Sequence, residues 1–309
     1  MDESIGAVME ALHSKHMLDN SIVIFISDNG GQPYEGVDPG SPLPIPNAGL
    51  NLPLRGGKSL LYEGGIRVPA LVWSPLLNKS GYVSEALVHV TDLLPTVLDG
   101  IDGTGIVDQD HIYGVSQWST IANDNPPVRW EIQHNVDPVS NSSAIRWFDW
   151  KLIQTHKQFG PSKADYGYQF IDIDNPGIPF PTQQSAHRLN SKMYGVLTHM
   201  NRRPDYTVLS TSTIECRPVP DSHFRSECMS AYCLFNVRHD PCEQYDLIGQ
   251  TDRRFVQFLR NKIVRFNATS VPPLSLVPND PKADPKLYNY TYVNWLDYYE
   301  NENSQFVTD

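Results

Sequence analysis

Apolar positions along this chain of 309 residues recur in patterns that predict its elements one by one. Ile5, Val8, Met9 and Leu12 repeat at helical spacing and predict an amphipathic helix at the start. After a short turn, the apolar run from Ile22 to Ile26 reads as a strand buried on both faces, and Val68 to Trp73 is a second such run. Within residues 85–98, Leu87, Val90, Leu93, Leu94 and Val97 return to helical spacing, with Pro95 as a kink point. Helix, strand, strand, helix is the order expected at one edge of a mostly parallel α/β sheet covered by helices. Ligands of such sheets sit at the carboxyl ends of the strands.

From residue 130 the pattern shortens. "WEIQHNVDP" and "SAIRWFDWKLIQTHK" alternate roughly between apolar and polar, as antiparallel strands solvated on one face do. Residues 156–228 show little periodicity and predict a long irregular excursion. "AYCLFNVRHDPCEQYDLI" reads as strand, turn and helix entry, and "DRRFVQFLRNKIVRF" puts Phe255, Phe258, Leu259, Ile263 and Phe266 on one face of a helix. The tail from Pro272, rich in Pro, Asn and Tyr, is expected to wrap the surface. The chain therefore divides into an α/β domain over residues 1–138 and a smaller α+β domain with an antiparallel sheet over residues 139–309.

Composition narrows the class. An apolar content of 40% says globular, and 25 prolines with 20 glycines say loop-rich. The formal net charge of −11 argues against a general nucleic-acid binder, which needs clustered Lys and Arg. No apolar stretch approaches the roughly 18 residues of a membrane span. Four sequons, at Asn78, Asn141, Asn267 and Asn289, lie in polar stretches. Cys216, Cys228, Cys233 and Cys242 cluster without a C-x-x-C or a flanking His pair, so one or two disulfides are expected rather than zinc; three pairings are open. These features favour a secreted or lysosomal protein. "MDESIGAVMEALHSKH", however, is acidic, has no apolar signal region and begins inside a helix, which leads us to expect an incomplete chain.

Two stretches could carry chemistry. "SIVIFISDNGG" ends in Asp28 and Asn29, whose carboxylate and amide oxygens suit Ca²⁺ or Mg²⁺, while Gly30 and Gly31 permit a sharp turn and close approach. Alone, Asp-Asn-Gly-Gly reads as a strand-to-loop turn rather than a metal site. "PLRGGKSLLYEGGIRVP" concentrates Arg55, Lys58 and Arg67 against the single Glu63 and flanks Lys58 with glycines. A lysine on a tight turn near a divalent cation fits a tetrahedral anion, although alone it reads as a solvated basic loop.

Together, "IFISDNGGQ", "PLRGGKSLLYEGGIRVPALVWSP", "HVTDLLPTVLDGID", "HNVDP" and "AIRWFDWKLI" follow in order the pattern of the type I sulfatases, and look most like the arylsulfatase B (N-acetylgalactosamine-4-sulfatase) branch. The likeness runs from residue 3 to about 155 and resumes at "LFNVRHDPCEQYDL". It implies an alkaline-phosphatase-like sulfatase fold and a sulfated small molecule or glycosaminoglycan as substrate. It also implies a calcium ion completed by Asp28 and Asn29, with Lys58 contacting the substrate sulfate; Arg55 and Glu63 would be structural support. The family's formylglycine nucleophile arises from a C/S-x-P-S-R motif that this chain lacks: Cys216-Arg217-Pro218 continues with Val219, and Pro161-Ser162-Lys163 follows Phe159-Gly160. The resemblance thus implies the second half of a sulfatase, inactive alone, with the nucleophile expected in the missing half. His13, His16, His89, His111 and His134 are read as surface or satisfied histidines, His134 at a strand end. A non-catalytic protein that binds sulfated glycans is the competing reading; a phosphatase or phosphodiesterase of the wider superfamily is a weaker one.

Overall fold

The structure is a computed structural model and describes residues 1–32, 34–37, 44–46, 49–103, 112–154, 190–203, 205, 207–208, 212–216, 232–273 and 279–296. Its chain forms two compact units, Met1–Ala268 and Thr269–Asp309.

The opening helix α1 spans Asp2–Ser14. Met9 is fully buried against Leu18 and Val196, with Ile5 and Leu12 packed beside it. Val8, expected on the same face, is 59% exposed. The helix that covers α1 is one the sequence pattern missed: α5, Lys192–His199, lies inside the stretch read as irregular. Its N-cap Ser191 accepts a hydrogen bond from the Tyr194 amide and satisfies an orphan donor of the first turn.

Strand β1 (Val23–Ile26) pairs antiparallel with β4 (Ala70–Trp73), Val23 opposite Trp73 and Ile26 opposite Ala70. A second antiparallel pair, β2 (Tyr34–Val37) with β3 (Pro44–Pro46), lies in the loop between them. Neither β1 nor β4 is buried on both faces as expected; Ile26 is 38% and Leu71 53% exposed. The sheet has only these two strands among the described residues, so each keeps one edge unpaired among them.

Helix α2 is a single turn, Glu63–Ile66, and α3 spans Leu93–Gly100. Pro95 causes no kink. It falls in the first turn of α3, where its missing N–H would have had no partner within the helix. Residues 85–89 are not helical, and Asp92 anchors this region instead. Burial alone would raise its pKa, but hydrogen bonds from Arg129, Val115 and His89 hold it below the ordinary carboxylate value.

After α4 (Trp118–Asn123) comes the four-stranded antiparallel sheet β5 (Glu131–Asp137), β6 (Ser142–Trp147), β7 (Trp150–Gln154) and β8 (Tyr232–Asn236) in that order. The predicted strands are present, but their solvated face is not. Ala144, Ile153, Cys233 and Phe235 bury one face against Tyr62, Leu60 and Leu61. Ile145, Leu152 and Leu234 bury the other against Leu259 and Ile263 of helix α6 (Arg253–Asn267). The sheet is thus covered twice, and one of its covers is the segment that carries Lys58. His134 is not at a strand end: it lies inside β5 at a register shift between Gln133 and Asn135, as the extra residue of a bulge.

Two disulfide cysteines pair as Cys216–Cys242, and Cys233 is disulfide-bonded as well. All four sequon asparagines are exposed. Among the described residues no helix is long and apolar enough to cross a membrane.

Candidate functional site

The site is built from two turns that interlock through their backbones. Asp28 and Asn29 follow β1 directly. Asp28 Oδ1 accepts a hydrogen bond from the Asn29 amide at 2.9 Å, and Asn29 Nδ2 donates to the Gly30 carbonyl at 2.8 Å. Gly30 then donates its amide to the Gly65 carbonyl at 2.9 Å. A Cβ on Gly30 would stand 1.7 Å from the Gly64 carbonyl oxygen, so only glycine permits this approach. The Lys58 amide donates to the Gly31 carbonyl at 3.0 Å, which fixes the GGK turn on the SDNGG turn.

Asn51, which no sequence pattern singled out, clips the two turns together. Its Oδ1 accepts from the Gly31 amide at 2.6 Å, and its Nδ2 donates to the carbonyls of Gly31 and Gly56 at 2.9 and 3.0 Å. Ser59, next to Lys58, takes a left-handed φ of 72°, a strained conformation for a residue with a side chain. Asp28 and Lys58 are exposed, and Asn29 is half-buried. The structure therefore brings the three predicted residues onto two adjoining turns.

Behind the Lys58 turn lies a buried ionic cluster. Lys151 of β7 is fully buried, with Nζ 3.0 Å from Glu63 Oε1 and 2.7 Å from Glu243 Oε1. Glu243 Oε2 accepts from the Glu63 amide at 2.6 Å, and its carbonyl accepts from Arg55 Nη1 at 2.9 Å. The Arg55 guanidinium also lies 4.1 Å from the centre of the Tyr62 ring. Arg55 and Glu63 thus hold the turn to the sheet, as the motif reading expected of them. One ammonium faces two carboxylates here. For Glu63, burial is the largest single effect and works upward, but the charges of Lys151, Arg146 and His134 with the Lys151 hydrogen bond together outweigh it and bring the pKa down to about 2. For Glu243, burial dominates over Lys151 and pushes it up to about 7. His134 borders the same cluster; burial and the Lys151 charge push it down to about 3, and its Nε2 finds no hydrogen-bond partner among the described residues.

The donor chemistry at Asp28 and Asn29 fits a hard cation, which takes about six to eight oxygens. The pair could hold one side of such an ion. Among the described residues no group of three or more His, Cys, Asp or Glu converges to complete it.

An oxygen-donor turn is thus locked to a lysine turn, and comparison with known proteins points to sulfatases. Residues 1–103 match the Sulfatase family model. Over 99% of its length the chain is 32% identical to mouse arylsulfatase J, of which it covers 44%. Human N-acetylgalactosamine-6-sulfatase is 39% identical over 98 residues, 32% of this chain and 17% of that protein. The chain is thus similar to these sulfatases and spans less than half the length of either. Two solved structures were also matched: one from Bacteroides thetaiotaomicron glycosaminoglycan metabolism and the PsFucS1 sulfatase from Pseudoalteromonas sp. The first covers 86% of this chain and 42% of its own at 18% identity and TM-score 0.49; the second covers 89% and 41% at 19% and 0.48.

Proposed function

We propose that this chain contributes the sulfate-binding and part of the metal-binding apparatus of a sulfuric ester hydrolase of arylsulfatase B type. The observation that carries the reading is the Lys58 amide bonded to the Gly31 carbonyl, which sets a cationic turn beside the Asp28–Asn29 turn. In this reading the Lys58 ammonium grips a sulfate oxygen. Asp28 and Asn29 offer oxygens to a calcium ion, which when bound draws charge from the sulfate. The buried cluster behind them keeps the turn from shifting. The chain has no C/S-x-P-S-R motif; in this reading the formylglycine nucleophile is supplied by residues outside these 309, and the chain alone is expected to be inactive.

The substrate class is a sulfated small molecule or glycosaminoglycan, supported by the names of the relatives. Secretory or lysosomal residence and glycosylation belong to the same proposal and are supported by the exposed sequons and the disulfides. We also keep a division into two parts, supported by the separateness of the β1–β4 and β5–β8 sheets; the boundary at residues 138 and 139 itself falls in the turn between the paired strands β5 and β6.

Calorimetric titration of the chain with a small sulfate ester, with and without Ca²⁺, tests the site. Lys58→Ala should weaken binding about tenfold, the loss of one charge-assisted hydrogen bond, about 1.4 kcal/mol. Asp28→Ala should remove the Ca²⁺ dependence. Unchanged affinity in Lys58→Ala refutes the sulfate assignment, and turnover of an aryl sulfate by the chain alone refutes the need for an outside nucleophile. Without turnover but with intact binding of sulfated glycans in the full-length protein, a non-catalytic binder is the outcome.

A further inference from the structure

Helix α6 stands out from the chain that carries it. The whole sequence has a formal net charge of −11. Yet Arg253–Asn267 holds Arg253, Arg254, Arg260, Lys262 and Arg265 and not one carboxylate. Two of the five have an anionic partner: Arg254 meets Asp252, and Lys262 meets Glu131. Among the described residues Arg253, Arg260 and Arg265 have no carboxylate partner, and all three are exposed. Core packing does not explain Arg253 and Arg265, because Leu259 and Ile263 turn the opposite face of the helix to the sheet; Arg260 lies with its guanidinium 4.6 Å from the centre of the Tyr232 ring at the edge of that core.

At about 3.6 residues per turn, Arg253, Gln257, Arg260 and Val264 form one outward row, and Arg254, Phe258, Asn261 and Arg265 a second beside it. Arg253 and Arg260 lie about 10 Å apart along the axis, at a rise of about 1.5 Å per residue. That spacing suits anionic groups repeated along an extended chain rather than one compact ion. The second row leads into exposed aromatics. Phe258 is 40% exposed and packs edge-on against Trp147, which meets Phe148, and Phe148 stacks with Trp130. Phe148 and Trp130 are themselves 52% and 55% exposed. Arginine forks match sulfate oxygens in pairs, and aromatic ring faces pack against the C–H faces of sugars.

We propose that the outer face of α6, with the Phe258–Trp147–Phe148–Trp130 shoulder beside it, binds a sulfated polysaccharide chain as an exosite separate from the Lys58 turn. The choice of a glycan over a nucleic acid rests on the sulfate reading of the Lys58 site; the cationic face itself does not. The face would hold a polymeric ligand by its sulfates and raise the local concentration of sulfate esters.

The test uses the full chain, immobilised heparin as probe, and salt elution as readout. The triple variant Arg253→Gln, Arg260→Gln, Arg265→Gln keeps good helix formers at exposed positions. It should lower heparin affinity at least tenfold while leaving the circular dichroism melt and the small-ester affinity of the Lys58 site unchanged. The triple Arg→Lys variant should stay within threefold of wild type. Lys58→Ala should leave heparin affinity within twofold, so failure of the Lys58 site and failure of the exosite give different patterns. Desulfated heparin should bind at least tenfold more weakly than heparin. Undiminished heparin binding by the Gln variant, equal loss in the Lys variant, or equal retention of desulfated heparin overturns the proposal. Tighter binding of a single-stranded RNA or of phosphatidylserine vesicles than of heparin overturns it in favour of that partner.

Discussion

Glu243 is a carboxylate that finds its balance only in the folded chain. Next to Lys151 it shares one ammonium with Glu63, and burial keeps it from ionising at its ordinary value of 4.5, lifting it to about 7. A carboxyl whose folded pKa is raised binds its proton more tightly in the native state. Its contribution is therefore full below pH 4.5 and is lost as pH rises toward 7. His134 works in the other direction: depressed to about 3, it costs stability as pH falls below its ordinary 6.5. The two effects overlap between about pH 4.5 and 6.5, so the difference between wild type and Glu243→Gln isolates one of them. Measured by urea denaturation, the wild type should lose stability relative to Glu243→Gln as pH rises from 4.5 to 7; a constant difference refutes the protonation account. Neither residue's behaviour was legible in the sequence. Glu63 lies 88 residues from Lys151 and 180 from Glu243, and no local pattern links such positions.

At the scale of elements, the four-stranded sheet and the long helix are where the hydrophobic pattern was most readable. Phe255, Leu259 and Ile263 do face the sheet, but Phe258, on the same predicted face, is partly exposed. Periodicity locates a face to within about one residue per turn and cannot say how wide its cover is. Leu259 is fully buried between α6 and the sheet. Leu259→Ala should destabilise the chain by about 2–5 kcal/mol through lost transfer energy and a residual cavity. Thermal or urea unfolding measures this directly, and small-ester affinity at the folded site should not change, because α6 covers the face opposite the Lys58 segment. The SDNGG and GGK turns were legible as turns, since glycine and Asx chemistry is local. Their interlocking through Asn51, Gly30 and Gly65 was not, because close backbone approach leaves no mark beyond the glycines themselves.

Within the unit Met1–Ala268, the Cys216–Cys242 disulfide ties distant sequence to the Lys58 segment. Cys216–Cys242 closes a span of 26 residues, and Cys216 Sγ contacts the Pro53 carbonyl at 3.2 Å, two residues before Arg55. Glu243, which holds Arg55 and Glu63, follows Cys242 directly. Cys216→Ser with Cys242→Ser should cost about 2–5 kcal/mol of stability, read by denaturation under oxidising and reducing conditions; equal stability of wild type and variant under oxidising conditions refutes a structural bridge. The sequence by itself determined the SDNGG and GGK turns, the strands β1 and β4 to β8, the two helices with strong periodicity, and which residues offer chemistry suited to a metal or an anion, but not the β2–β3 pair. Each of these follows from short-range spacing and residue chemistry. Only the tertiary structure decided that the four-stranded sheet is covered on both faces, that β1 and β4 keep exposed edges, and that Lys151 sits between two carboxylates. Those outcomes depend on contacts between segments far apart in the chain, whose energies no local pattern records.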